Sequence, residues 1–359
     1  MNRTSPQRAA DISVGLLHRR DPAVAAIARS WRRLTSHPGA ARAGPGERTL
    51  LAVSGGADSS GLLLALASLG ERVRRNLMVA HVRHDLRQGP SPREDERAVQ
   101  ALAEALRLEC VSAAVRVRGL AGNAEANARR ARYAALARLA RRCGCAFVAT
   151  AHHADDQAES VIMALLRGAG PRGLAGIAER RALAPGIELI RPCLGVRSDD
   201  LRRLCRTSGW SWREDATNLD DERLRARVRH EVIPLLERVR PGVVDRIGDA
   251  AWIQRELSVG VRQAAARVMR ADSGSMGGRE KPSRRWPREM LRRVNPGVLG
   301  EVLRAAVLEA SGGAGADRTP LRAIRRVVEM IRDRAKEPRQ ITISGAVIEV
   351  CASTVRVRV

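Results

Sequence analysis

The chain of 359 residues is long enough for two or three domains with a sizeable core. Its 64 basic against 39 acidic residues leave a formal charge of +25, which points to a polyanionic partner, nucleic acid above all. No apolar run reaches membrane-spanning length, and six cysteines without disulfide-type spacing fit a reducing cytoplasm better than a secreted scaffold.

Only Lys281 and Lys336 are lysines, so nearly all the positive charge is arginine, which forks onto phosphates and stacks on bases. Biased base composition accounts for arginine over lysine, but not for the excess of base over acid. Aromatic residues make up 2% of the chain, leaving Leu, Val and Ala to fill most of the core.

Residues 1–45 are Arg-rich, yet Ala23, Ile27, Trp31 and Leu34 fall near helical spacing after Pro22. That predicts a lead-in helix behind a frayed start rather than a transit peptide. From residue 46 the pattern alternates. Leu50 to Val53 reads as a buried strand, Ser54-Gly55-Gly56 as a sharp turn, and Leu62 to Leu69 as a helix stopped by Gly70. Leu77 to Val82 is a second strand, running into His81-Val82-Arg83-His84-Asp85-Leu86-Arg87. Ser91-Pro92-Arg93-Glu94 is a capping box opening a helix to about Leu108. Val111 to Val117 alternates like a strand, and Asn123 caps a helix through Arg142 that Gly144 ends. Ala146 to Thr150 is a strand, Asp155 to Arg167 a helix, and Ile187 to Pro192 a last strand before Ser198, which is expected to cap a helix to Ser208.

Strands separated by helices predict an α/β fold with a parallel, Rossmann-like sheet and ligands at the strand C-termini. Beyond Pro234, residues 235–268 and 288–335 look helical, divided by the polar stretch from Ala271 to Arg285. Ile341 to Val350 and Thr354 to Val359 alternate with period two, as in a small antiparallel β unit. The expected domains are an N-terminal extension (1–45), a catalytic α/β domain (46–230), a helical domain (231–335) and the β unit (336–359).

Three stretches carry the chemistry. Strand, glycine turn and helix N-terminus around Ser54, Gly55, Gly56, Ala57, Asp58 and Ser59 aim backbone N–H groups and a positive dipole end at one point, which suits phosphate. Asp58 could hold Mg²⁺ against those phosphates. It is not a Walker loop, which needs Gly-Lys-Ser/Thr. Thr150-Ala151-His152-His153-Ala154-Asp155-Asp156-Gln157-Ala158-Glu159 gathers two imidazoles and three carboxylates at a strand-to-helix junction. Asp156 and Glu159, three apart, share a helix face and with His152 could hold Mg²⁺, a substrate ammonium or a transition metal. Arg129 and Arg132 lie on one helical face beside Tyr133, and Arg223, Arg225, Arg227 and Arg229 form a second basic run suited to phosphate contacts. Gly168 to Gly173 matches GxGxxG but follows a helix, so it lacks the context of a dinucleotide site. Cys143-Gly144-Cys145 is CxC without a second pair, a weak metal signal.

Taken together, SGGADSS, HVRHDLR, EANARRARY, ATAHHADDQAES with RGAGPRGLAGI, IRPCL, and WREDATN followed by the arginine run and IPLL resemble the tRNA(Ile)-lysidine synthetase family of N-type ATP pyrophosphatases, the PP-loop superfamily. The resemblance covers about residues 48 to 240 closely and the remainder loosely. The chain departs from the family pattern at Arg83, Asp85, Ala216, Thr217 and Ala226.

The resemblance implies a PP-loop ATPase domain followed by a tRNA-contacting helical domain and β unit. It also implies ATP and Mg²⁺, a cytoplasmic enzyme, and attachment of free L-lysine to C2 of the wobble cytidine in tRNA(Ile) with a CAU anticodon. Carried onto this chain, Ser54 to Ser59 bind the ATP phosphates with Asp58 on Mg²⁺, and Asp156, with Glu159 and His152, orients Mg²⁺ or lysine. Arg129 and Arg132 face the α-phosphate or the adenylated base, and Arg223 to Arg229 hold the anticodon stem. A homodimer is compatible with this reading. Two alternatives stand beside it, a tRNA cytidine thiolase, for which a CxxC pair is wanting, and a non-catalytic basic RNA-binding protein.

Overall fold

The computed structural model describes residues 14–36, 48–85, 91–118, 121–212, 221–271, 284–312 and 321–359. Most of the WREDATN motif, the end of HVRHDLR and most of the 271–285 stretch lie outside the described residues, as do the side chains of His84, Glu125 and Arg223. Among the described residues no helix is long and apolar enough to cross a membrane.

The chain divides into two units, the first holding residues 1–163 and 176–249, the second residues 164–175 and 250–359. In the first, α1 (Pro22–Thr35) is capped by Asp21, whose carboxylate accepts from the amides of Ala23 and Val24. It buries the stripe Ala23, Ile27, Trp31 and Leu34. There follow β1 (Arg48–Ala52), α2 (Ala57–Ala67), α3 (Glu71–Arg74), β2 (Leu77–His84), α4 (Ser91–Ala105), β3 (Cys110–Val115), α5 (Ala124–Arg142), β4 (Cys145–Ala149) and α6 (Ala154–Leu166). Past α7 (Pro171–Leu174), which belongs to the second unit, the first resumes with β5 (Arg180–Ala184), β6 (Ile187–Ile190), α8 (Ser198–Thr207) and α9 (Asp221–Arg227), then a π-helical turn (Val228–Val232), α10 (Ile233–Val239) and the start of α11 (Val243–Arg270).

The sheet order is β3-β2-β1-β4-β6-β5, with every neighbouring pair parallel except β5 against β6. Sequence alternation missed β5, because Arg-Arg-Ala-Leu-Ala carries too much charge to read as a strand; it sits at the edge, where that is tolerated. Central β1 is nearly all buried, and the apolar faces on its two sides form separate clusters. One lies under α1, α2, α4 and α8, the other under α5.

The α2–α8 contact is close enough to require glycine. A Cβ on Gly61 would lie 2.8 Å from the Leu201 carbonyl oxygen and 3.1 Å from its Cα. Gly61→Ala is therefore expected to destabilise the first unit by about 1–3 kcal/mol, the usual cost of overpacking. Gly248→Ala, with nothing within 4 Å of the new methyl, should be neutral or slightly stabilising. Thermal melting of the two variants side by side checks this.

The second unit joins α12 (Arg288–Arg293), α13 (Pro296–Ala310) and α14 (Leu321–Arg332) to a four-stranded antiparallel sheet. Its strands are β7 (Arg284–Pro287), β8 (Arg339–Ile343), β9 (Ala346–Val350) and β10 (Thr354–Arg358), in the order β7-β10-β9-β8. Trp286, Leu303, Val327, Ile331, Ile348 and Val355 share one core, so the helices and the β unit that sequence separated close on the same apolar interior.

Candidate active site

The turn after β1 is held from within. Ser59 Oγ receives the Ser54 amide at 3.1 Å and donates to the Gly56 carbonyl at 3.1 Å. Gly55 adopts φ +97°, a left-handed value that glycine takes without a Cβ penalty. His81, buried at the end of β2, shares Nδ1 with the Val53 carbonyl at 2.9 Å and braces the entry to the turn. No side chain caps α2, so the positive end of the helix stays open at the strand C-terminal edge.

Asp58, in the first turn of α2, meets the second motif directly. Its Oδ1 accepts the Ser198 hydroxyl at 3.1 Å, and its Oδ2 lies 3.5 Å from Nε2 of His153. The His153 ring also stands 3.5 Å from carboxylate oxygens of Asp155 and Asp156. Asp155 in turn accepts the Ser198 amide at 2.8 Å and Arg197 Nη2 at 2.9 Å. Ser198 was expected as an N-cap. Instead Arg197 holds the cap position with no side-chain bond, and Ser198 ties α8 to both Asp58 and Asp155.

Charge sets the protonation here. Burial alone would lower His153, but its hydrogen bonds to Asp155 and Asp58 and the charge of Asp156 hold it up to about 10. Burial opposes ionisation of Asp58 as well, yet His153 and Ser198 keep it below its ordinary value. Asp155 is likewise driven well below the carboxylate range by His153, Ser198 and Arg197, against burial. The depressed Asp155 contributes stability above its unfolded value of 3.8, lost as pH falls below it. The raised His153 contributes fully below 6.5, and that contribution is lost as pH rises through about 10. Melting temperature should therefore decline between pH 6.5 and 10, and His153→Gln should flatten that alkaline limb in a pH series of thermal melts.

The second acidic pair is already occupied. Glu159, with its side chain 0% exposed, accepts Nε of Arg225 at 2.6 Å and Nε of Arg229 at 2.5 Å. Asp156 Oδ1 takes the outer nitrogens of the same two arginines at 3.0 and 3.4 Å. Arg225 and Arg229, four apart, present two forks to carboxylates three apart on α6. The basic run is thus no uniform phosphate track. Two of its members turn inward, and Arg227 pairs with Glu231 one turn on. Four carboxylates (Asp58, Asp155, Asp156, Glu159) face four cations (His153, Arg197, Arg225, Arg229).

His152 is apart from this. Its Nδ1 shares a hydrogen with the Thr150 hydroxyl at 2.9 Å, and burial, then Arg191, Arg129 and Arg132, push it down to about 2, so it is neutral. Arg129, Arg132 and Arg181 stack around Tyr133, their Cζ atoms 5.2, 5.7 and 4.8 Å from the ring centroid.

Among the described residues no group of three His, Cys, Asp or Glu side chains is arranged to hold a metal ion. The rim suits Mg²⁺ only in the mode of one carboxylate plus phosphates and water, with half-exposed Asp58 as that carboxylate. Cysteine offers nothing here. All six are free, and Cys145, Cys193 and Cys205 are buried in the cores.

Residues 28–236 match the family described as a PP-loop domain. The tRNA(Ile)-lysidine synthase of Geobacter sulfurreducens is 38% identical over 280 residues, 76% of this chain and 58% of that protein. The protein of the same name from Salinispora arenicola is 44% identical over 233 residues, 64% of this chain and 67% of its own length. The chain thus spans under two thirds of the first relative. Among solved structures, the U34-tRNA thiolase NcsA of Methanococcus maripaludis superposes with a TM-score of 0.50 at 17% identity, covering 65% of this chain and 79% of that one, a likeness of fold.

Proposed function

The chain belongs to the PP-loop family, and on that footing we propose that it ligates free L-lysine to C2 of the wobble cytidine of tRNA(Ile) with a CAU anticodon, using ATP. The observation that carries the reading is the junction of two motifs at one imidazole. The open N-terminus of α2 and the acidic start of α6 meet through Asp58 and His153. The relatives' names supply the substrate.

In this reading the turn from Ser54 to Ser59 grips the outer phosphates of ATP. Cytosine O2 attacks the α-phosphorus, the bond to the bridging oxygen breaks, and pyrophosphate leaves. The lysine amine then attacks C2 and AMP departs with the former O2. Mg²⁺, when bound beside Asp58, supplies charge neutralisation for the leaving pyrophosphate. Arg129 and Arg132 reach the inner phosphate or the activated base from α5. Asp156, whose oxygens already hold Arg225, Arg229 and His153, keeps those cations in place beside the incoming amine, and His152, held neutral, offers the amine a hydrogen-bond acceptor. Glu159 is better cast as the anchor of Arg225 and Arg229 than as a ligand, because both its oxygens are taken.

The test is mass spectrometry of the wobble nucleoside after incubation of the chain with ATP, lysine and a tRNA(Ile) transcript. Wild type should form lysidine, while Asp58→Ala and Asp156→Ala should each lose at least about a hundredfold in rate, in keeping with loss of a positioned charged group. Absence of lysidine with wild type, or unchanged rates in both variants, overturns the assignment.

A further inference from the structure

Arg191 is a buried cation without a counter-charge. It follows the last residue of β6 and is 3% exposed. Its Nη1 donates to the Ala178 carbonyl, while Nε has no partner, and no carboxylate pairs with it among the described residues. The buried hydroxyl of Tyr133 faces the Arg191 guanidinium without forming a well-aligned hydrogen bond to it. Arg181, exposed on β5, stacks on the Tyr133 ring, and among the described residues its guanidinium bonds its neighbour's carbonyl at Ala182.

This contrasts with the acidic cluster nearby, where each carboxylate meets a cation. Taking the Arg191 guanidinium out of water without an anion is costly, and a neighbouring phenol hydroxyl offsets only part of that cost. Such an arrangement is stable when an anion arrives from outside and completes it. Burial, then Arg191, keeps His152 neutral, so no further cation competes there.

Position decides which anion. The phosphate turn follows β1, and the strand order places β6 two strands and β5 three strands away from it. At strand spacings of nearly 5 Å, the ends of β6 and β5 stand roughly 10 and 15 Å from the end of β1. That is wider than the run of bridged phosphates in one nucleotide. We propose that Arg181 and Arg191, flanking Tyr133, form a phosphate site for the RNA backbone, holding a phosphodiester beside the nucleotide that is modified. The proposal rests on the reading that the chain acts on RNA with ATP; it adds Arg181 and gives a role to Arg191, the arginine of IRPCL, to which no site role was assigned.

The test uses the full chain as wild type, Arg181→Ala and Arg191→Met. Binding of a fluorescent tRNA transcript with a CAU anticodon, without ATP, is followed by anisotropy across a salt series, and ATP affinity by calorimetry without RNA. Arg181→Ala, at an exposed position, should weaken RNA binding about tenfold and lower the slope of log K against log salt by about one. ATP affinity should stay within about twofold. Arg191→Met should show the same loss while melting no lower than wild type, since it removes an unpaired buried charge. A melting drop with RNA affinity intact would mean Arg191 is structural and overturn the proposal. So would unchanged RNA affinity and slope for Arg181→Ala. Loss of ATP binding with RNA binding intact would transfer the site to the nucleotide and equally overturn it. Failure of the wild type to bind the transcript at all would instead strike the parent reading that the chain acts on tRNA.

Discussion

Glu159→Gln is expected to lower the melting temperature of the chain and to abolish most of the proposed lysine ligation, for one reason: it releases two arginines at once. Glu159 is fully buried and gives one oxygen to Arg225 and the other to Arg229. A glutamine keeps one acceptor and turns an N–H₂ donor toward the other guanidinium, so a charge-assisted bond becomes a clash of donors. Breaking a buried pair from one side costs about 3–5 kcal/mol, and the low end applies because the arginine side chains are 36% and 48% exposed. The cycle with Arg225→Met and Arg229→Met separates two roles. If Glu159 anchors the arginines, its substitution costs little stability in the double-arginine background, and the loss in ligation follows the melting curve. If it holds the lysine ammonium directly, KM for lysine rises in every background while melting stays put. The geometry favours the first outcome, since Glu159 has no oxygen left to offer.

How far sequence reached depends on the range of the interaction. The phosphate turn was legible because everything that builds it is local: a run of apolar residues, Gly55 at φ +97°, and a helix that starts two residues on. The Asn123 cap was legible for the same reason, its side chain accepting the Ala126 amide within one turn. The partners of Asp156 and Glu159 were not, because Arg225 and Arg229 lie 66 to 73 residues away, and no periodicity connects two helices that meet only in space. Ser198 reads in sequence as an ordinary helix cap, yet its contacts with Asp155 and Asp58, and that of Arg197 with Asp155, join α8 to both motifs. The edge strands β5 and β7 escaped notice because Arg-Arg-Ala-Leu-Ala and Arg-Arg-Trp-Pro show no alternation. A proline closes β7, and only an edge strand accommodates one.

Arg288→Met is expected to have the largest effect in the second unit, although nothing in the sequence separates Arg288 from the other arginines of the C-terminal region. It is 4% exposed and opens α12, with its own amide donating to the Ser353 carbonyl at 2.8 Å. Its guanidinium faces the C-terminal end of α14. Nε donates to the Ile331 carbonyl at 3.1 Å, and Nη2 to the carbonyls of Met330 and Asp333 at 2.8 and 2.9 Å. Nη1 donates to Ala335 at 2.6 Å and, across to the end of β9, to Cys351 at 3.3 Å. Asp333 Oδ1 supplies the counter-charge at 2.8 Å.

The last carbonyls of a helix have no partners within it, and a cation there also meets the negative end of the dipole. Methionine fills a similar volume but donates nothing, so several buried carbonyls lose their donors together. The expected loss is about 3–5 kcal/mol, a large fraction of what a unit of this size has to spare. Arg288→Lys should recover less than half, because an ammonium is a single point that cannot serve carbonyls fanned around a planar fork. Trp286, two residues away and fully buried, is the natural reporter. Its fluorescence should shift to the red at a lower denaturant concentration in Arg288→Met than in wild type, with Arg288→Lys between them. If the lysine variant unfolds with wild type, the fork geometry is irrelevant and the charge alone holds the end of α14.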